Sequence, residues 1–171
     1  MPRLSRDARH PVTIILNGKR ASGYAEPRLL LIDFLRREIG ATGSHVGCEH
    51  GVCGACTVRV DGKAVRSCLM HAVQADGRRV DTVEGLGDNS SELTALQSAF
   101  RREHALQCGY CTPGILMSIS DFLERNPKPT ETEIREMLSG HICRCTGYAG
   151  MVRAVLDVVS NGGAAESSKS E

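Results

Sequence analysis

Tryptophan is absent from this 171-residue sequence, and phenylalanine and tyrosine occur three times each, so any core must be assembled mainly from aliphatic side chains. No run of about 18 apolar residues is present, and no segment reads as a membrane-spanning helix. An excess of charge of either sign is missing too. The 21 lysines and arginines against 20 aspartates and glutamates leave a formal net charge of +1, which is not the basic balance of a nucleic-acid binder. The opening stretch from Met1 to Pro11 has scattered arginines but lacks the apolar segment of a secretory signal. These absences predict a soluble, cytoplasmic chain with neither a membrane span nor a nucleic-acid partner. Catalytic patterns are also wanting: no Ser-His-Asp arrangement, phosphate loop or paired-carboxylate motif stands out. No catalytic residue is assigned, because the chain has no evident means of activating a substrate itself.

Glycine (18) and cysteine (8) are what the sequence has in quantity. Without a secretory signal, eight cysteines argue against a disulfide framework and for metal ligation in a reducing compartment. The stretch that organises the rest is Val46-Gly47-Cys48-Glu49-His50-Gly51-Val52-Cys53-Gly54-Ala55-Cys56. Its sulfurs can turn inward only if the backbone bends sharply, and the interleaved glycines permit that bend. With Cys68 further on, the spacing C-x4-C-x2-C followed by one more cysteine is that of plant-type [2Fe-2S] ligation. Four soft, anionic thiolates supply two ligands to each ferric ion besides the bridging sulfides. Backbone N–H groups freed by the glycines would point at the sulfurs and stabilise the added negative charge of a reduced cluster. Cys48, Cys53, Cys56 and Cys68 form the first candidate ligand set.

Around this loop the pattern alternates between strands and a helix. Val12 to Leu16 and Lys19 to Tyr24 read as strands joined by an Asn17-Gly18 hairpin turn, and Thr57 to Val60 and Lys63 to Ser67 as a second hairpin about Asp61-Gly62. Leu29 to Ile39 has apolar residues at Ile32, Leu35 and Ile39, a helical repeat that Gly40 should end; Arg79 to Val83 adds a further strand. Two hairpins crossed by a helix predict a β-grasp, ferredoxin-like domain over 12–84. Gly, Asp, Asn and Ser then mark a linker at 85–91. The remainder predicts helices only: one with Leu93, Leu96 and Phe100, one with Ile115, Leu116, Ile119, Phe122 and Leu123 stopped before Pro127, one opened by the Thr130/Glu133 capping box, and one running from Tyr148 to Val159. Four helices with one apolar face each should form a four-helix bundle over 92–160. The fold class is therefore α+β, with two small cores and flexible termini at 1–11 and 161–171.

Cys108, Cys111, Cys143 and Cys145 form a second set, C-x2-C then C-x-C. Zinc is the alternative here. Zinc ligand pairs usually leave two to four residues between cysteines, whereas Cys143-Arg144-Cys145 leaves one. Thr112-Pro113 follows Cys111 and Thr146-Gly147 follows Cys145, so a helix cap is expected directly after each. Two helix N-termini would then favour an anionic cluster.

The segments Gly47-Cys48 to Thr57, Gln107-Cys108-Gly109-Tyr110-Cys111-Thr112-Pro113-Gly114 and Cys143-Arg144-Cys145-Thr146-Gly147-Tyr148 together resemble the small iron–sulfur subunit of molybdenum hydroxylases. That family includes xanthine dehydrogenases, aldehyde oxidoreductases, aerobic carbon monoxide dehydrogenases and heterocycle hydroxylases. The resemblance spans roughly Val12 to Val159. It implies two [2Fe-2S] clusters in this chain, a large partner subunit with a molybdopterin-type molybdenum cofactor and a medium one with FAD, arranged as a heterotrimer or a dimer of heterotrimers. It also implies that electrons leave molybdenum through both clusters toward flavin, and that Gln107 and Cys145 touch the pterin. His141 departs from the pattern, since many members carry Asn there; Ala149-Gly150 is another variable place. Substrate selectivity resides in the large subunit of this family.

Other residues take plainer roles. The histidines are expected on the surface or in packing, Arg36-Arg37 on a solvated helix face, and Tyr110 in core or interface packing. A freestanding ferredoxin and a zinc-bound structural module are the competing functions. The purified chain should carry about four iron atoms and four acid-labile sulfides; stoichiometric zinc without visible charge-transfer absorption would sink that expectation.

Overall fold

In both hairpins the two central turn residues adopt positive φ, 49° and 78° at Asn17-Gly18 and 48° and 79° at Asp61-Gly62. This is the geometry that matches the right-handed twist of the flanking strands. The computed structural model describes residues 4–6, 8–87 and 92–162. Most of the linker and the tail beyond Gly162 lie outside these. Strands β1 (His10–Leu16) and β2 (Lys19–Ala25) form the first hairpin, in register from His10 opposite Ala25 to Leu16 opposite Lys19. The second joins β3 (Thr57–Val60) to β4 (Lys63–Arg66). Between the hairpins runs β5 (Arg79–Asp81), parallel to β1 and antiparallel to β3, giving the order β2-β1-β5-β3-β4. β1 takes in His10 and Pro11, which the sequence assigned to a flexible terminus. Pairing with β2 along its whole length holds them in place.

A helix α1 (Leu31–Asp33) continues as a π-helical turn, Phe34–Ile39, and stops at Gly40 in the left-handed conformation. The expected helix is present, but its buried face is Leu31, Ile32, Phe34 and Leu35 rather than a regular repeat ending at Ile39. π-winding widens the turn and so shifts which side chains share a face. Leu31, Phe34 and Leu35 pack on Val12, Ile14, Val58, Val60 and Val80 from the sheet to form the first core.

Helices α2 (Ala95–Arg102), α3 (Thr112–Arg125), α4 (Glu131–Ser139) and α5 (Ala149–Ser160) share a second core. Capping boxes start two of them, at Thr94 with Gln97 and at Thr130 with Glu133. The second was expected. At the first, the T-x-x-Q signal sits one residue after Leu93, which is exposed and outside the helix. α3 does not have a single apolar face: Ile115, Leu116, Ile119 and Leu123 enter the helical core, while Gly114, Ser118 and Asp121 are buried elsewhere on the helix. It lies against β3 and β4, so the sheet covers part of it.

The two cores are thus distinct but joined along a polar seam. Arg59 of β3 pairs with Glu124 of α3, its Nη1 donating to Oε1 at 2.6 Å. The Ala64 N–H donates to Asp121 Oδ1 at 3.2 Å, the Arg66 Nη2 donates to the Gly140 carbonyl at 2.6 Å, and the Ile142 N–H donates to the Cys53 carbonyl at 3.0 Å. At the centre of the seam sits His141, 3% exposed, with Nε2 2.8 Å from the Ser118 hydroxyl.

Burial, aided by the Arg66 charge, pushes the His141 pKa down from 6.5 to about 4, so the ring is neutral in the fold at physiological pH. An unfolded chain takes up the proton near pH 6.5 and the folded chain only near pH 4, so this stability is fully present above pH 6.5 and is lost as pH falls through that window. The loss should be on the order of 3 kcal/mol. His141→Asn should flatten this acid limb in denaturant titrations between pH 7 and pH 4; an equally steep limb in the variant would contradict it.

Candidate metal centres

All eight cysteines are free thiols, and they fall into pairs. In the first set, Cys48 Sγ accepts the Cys53 N–H at 3.3 Å, while Cys56 and Cys68, both buried, lie in side-chain contact with each other. In the second, buried Cys111 meets half-buried Cys143, and exposed Cys108 meets exposed Cys145 with the sulfurs 3.5 Å apart. Each set thus has an inner pair and an outer pair. Among the described residues, no three His, Cys, Asp or Glu side chains are grouped to hold a single metal ion. Pairing is what a two-iron core with two thiolates per iron requires, whereas a four-sulfur zinc site brings all donors to one ion.

The first loop, between the π-helical turn and β3, is shaped by close approaches. A Cβ on Gly47 would lie 2.8 Å from Cys53 Sγ, so only glycine leaves room for that sulfur. The backbone donors expected from the sequence are present at Cys48, where the N–H of Cys53, followed by those of His50 and Val52, lowers the thiol pKa to about 6. Deeper in, burial and then the neighbouring Cys56 push Cys68 up to about 12.

The second set is held by two helix-start segments of different form. Cys111 is itself the N-cap of α3, with Pro113 in the first turn, so the cap falls one residue before the expected position after Cys111. Burial followed by contact with Cys143 pushes the Cys111 thiol up to about 12. Next to it, the Thr112 hydroxyl is buried with no hydrogen-bond partner among the described residues, a donor suited to an anionic cluster. Thr146, by contrast, is not a helix cap. α5 starts at Ala149 after Tyr148 in the left-handed conformation, so the expectation of two N-termini facing the site holds only for α3. The Thr146 hydroxyl turns to Cys143 Sγ, 3.2 Å away, and also accepts the Tyr148 N–H. Burial acts to raise the Cys143 pKa, but the Thr146 hydroxyl and N–H outweigh it and lower the value. The Tyr148 hydroxyl accepts the Cys143 N–H at 2.8 Å and donates to the His141 carbonyl at 3.0 Å, fixing the backbone that leads to this cysteine.

Gln107 is exposed and directly precedes exposed Cys108, whose sulfur lies 3.5 Å from that of exposed Cys145. α2 ends at Arg102, so Gln107 does not cap it. Two residues count for more than the sequence suggested. Arg36 is not merely solvated: its Nη1 donates to the carbonyls of Thr42 and Ser44, both at 2.6 Å. His45 stacks on Tyr110, with ring centroids 4.7 Å apart. No sequence spacing signals either contact, because each spans a loop of irregular backbone.

Two thiol-lined centres on one α+β frame define a double iron–sulfur protein built for electron transfer. Two family profiles match it, a 2Fe-2S iron-sulfur cluster binding domain over residues 14–86 and a [2Fe-2S] binding domain over residues 82–156. The chain is 54% identical to the nicotine 6-hydroxylase small subunit of Paenarthrobacter nicotinovorans, over 85% of this chain and 87% of that one. It is 49% identical to caffeine dehydrogenase subunit gamma of Pseudomonas sp. (strain CBB1), over 87% and 90%. The crystal structure of quinoline 2-oxidoreductase from Pseudomonas putida 86 superposes with a TM-score of 0.89 at 46% identity, over 95% of this chain and 99% of that chain. The chain belongs to the family of small iron–sulfur subunits of molybdenum hydroxylases. Its role is that of an electron-transfer subunit of an oxidoreductase.

The two ligand loops meet where Gly114, in the first turn of α3, abuts the first loop. A Cβ there would overlap the Gly54 carbonyl oxygen and stand 2.9 Å from that of Ala55, both of them backbone. Gly114→Ala should therefore cost about 1–3 kcal/mol through overpacking and lower the iron content of both centres together. Thermal unfolding and iron analysis of the variant check this; full iron content with an unchanged midpoint would refute it.

Proposed function

We propose that Cys48, Cys53, Cys56 and Cys68 hold one [2Fe-2S] cluster and Cys108, Cys111, Cys143 and Cys145 hold the other. The chain then serves as the electron relay of a molybdenum hydroxylase acting on an N-heterocycle. The observation that carries this is the division of each set into an inner and an outer pair of thiols. A bound [2Fe-2S] cluster supplies one-electron redox chemistry. The chain's own residues bury Cys56, Cys68 and Cys111, aim N–H and hydroxyl donors at the sulfurs, and keep the two centres in fixed register. The substrate class follows from the relatives, which are named for nicotine, caffeine and quinoline.

In this proposal a large subunit carries the molybdopterin-type molybdenum cofactor and a medium subunit carries FAD, in a heterotrimer or a dimer of heterotrimers. Residues 12–84 form a β-grasp, ferredoxin-like domain and 92–160 a four-helix bundle, joined through 85–91. Free thiols in this number suit a reducing compartment such as the cytoplasm. No helix among the described residues is long and apolar enough to cross a membrane. Co-purification with a tagged form of this chain, followed by screening of N-heterocyclic substrates, tests the assembly.

Gln107 and Cys145 face the partner's pterin edge. A carboxamide both donates and accepts hydrogen bonds, as that edge requires, and both residues are exposed. Gln107→Ala should leave both clusters loaded and the complex assembled, because one neutral hydrogen bond is worth about 0.5–1.5 kcal/mol net. Reduction of the clusters by substrate in rapid-mixing experiments should slow. An unchanged rate with unchanged cofactor content would count against a pterin contact.

A further inference from the structure

We infer that His45 and Tyr110 form a strut that sets the separation and mutual orientation of the two iron–sulfur centres, and are positioning residues for electron transfer between them. Tyr110 lies between the ligands Cys108 and Cys111, and His45 shortly before Cys48. Contact between them is reciprocal. His45 Nδ1 donates to the Tyr110 carbonyl at 2.8 Å, the Tyr110 hydroxyl donates to the Val46 carbonyl at 2.5 Å, and the rings stack at an interplanar angle of 17°. The acceptor at Nδ1 is a carbonyl, so that nitrogen carries the proton.

A stack between two free loops would settle nothing, but this one is anchored behind His45. Arg36 donates to the Thr42 and Ser44 carbonyls, and Glu84 Oε1 accepts the Gly43 N–H at 2.7 Å while its other oxygen accepts the Thr82 hydroxyl. The residues leading into His45 are thereby tied to the π-helical turn on one side and, on the other, to the short helical turn Val83–Gly85 that follows β5. On the far side, Tyr110 is followed directly by Cys111, the N-cap of α3. The strut thus runs from the frame of the first domain to the first turn of the helix that bears a ligand of the second. Tyr110 is nonetheless 49% exposed, so core packing does not account for its placement. What it fixes is the gap one electron crosses when one centre is oxidised and the other reduced by that same electron.

This inference rests on the two-cluster assignment, and the experiment separates the two. In the complete, reduced complex, the magnetic splitting between the two paramagnetic clusters reports their distance and orientation. Tyr110→Phe keeps the ring and removes only the bond to Val46; His45→Ala removes the stack and the bond to Tyr110. Both should retain full iron and sulfide yet show an altered splitting and a several-fold slower electron exchange between the clusters. His45→Asn, whose amide can donate in place of Nδ1, should recover part of the splitting. Unchanged splitting and exchange in fully loaded Tyr110→Phe and His45→Ala would overturn the strut. Absence of two distinct cluster signals from the unmodified complex would overturn the two-cluster assignment instead.

Discussion

Gathering eight ionisable sulfurs into two tight groups is the constraint on which the rest of this structure depends. Thiolates repel one another, and burial adds a desolvation cost to each charge. The chain meets this unevenly. Cys48 is offered backbone N–H groups and is already inclined to ionise, whereas Cys68 and Cys111 are buried beside another sulfur and hold their protons. A metal bound at Cys68 or Cys111 would have to displace that proton. Cys68 and Cys111 are therefore ill suited to nucleophilic chemistry, which needs a thiolate that is both accessible and free.

From this need comes the shape of the seam. Each ligand loop lacks regular hydrogen bonding of its own and must be held from outside. The first loop is held by the helical half, through Ile142 to the Cys53 carbonyl and through His141 packed at Gly54. The second is held in part by the sheet half, through Val46 to Tyr110 and through Arg66 to Gly140. Two separate cores with so many polar cross-contacts behave differently from two domains on a free linker. The cores supply stability by apolar burial, and the seam supplies register.

Much of this was legible in the sequence, where local chemistry dictates local form. Asn17-Gly18 and Asp61-Gly62 announce their hairpins because few other residues accept positive φ, and Thr130 with Glu133 announces a helix start through reciprocal side-chain bonds. The spacing of Cys48, Cys53 and Cys56 points to their loop, since C-x4-C-x2-C is the plant-type [2Fe-2S] pattern. What could not be read depends on the third dimension. Thr146 looks like a helix cap but faces Cys143, because Tyr148 takes a left-handed turn that postpones α5. Arg36 looks like one of two solvent-facing arginines until the loop after Gly40 folds back to present the Thr42 and Ser44 carbonyls. α3 looks amphipathic only while the sheet that covers its other side is out of view.

The exposure of the thiols then assigns each part of the surface a role. Cys56, Cys68 and Cys111 are buried, and Cys143 beside Cys111 is half-buried. Cys108 and Cys145 are open, and the exposed apolar residues Leu106 and Ile142 lie near them in sequence. Around the first loop, Val52 and Leu69 are likewise exposed, at 53% and 63%. A soluble chain that stood alone would have reason to cover sulfur ligands and to avoid apolar residues beside them, since both invite oxidation and adhesion. This chain leaves both uncovered at the entry to its second centre, which is consistent with a surface completed by another subunit and with electrons entering where the protein's own packing ends.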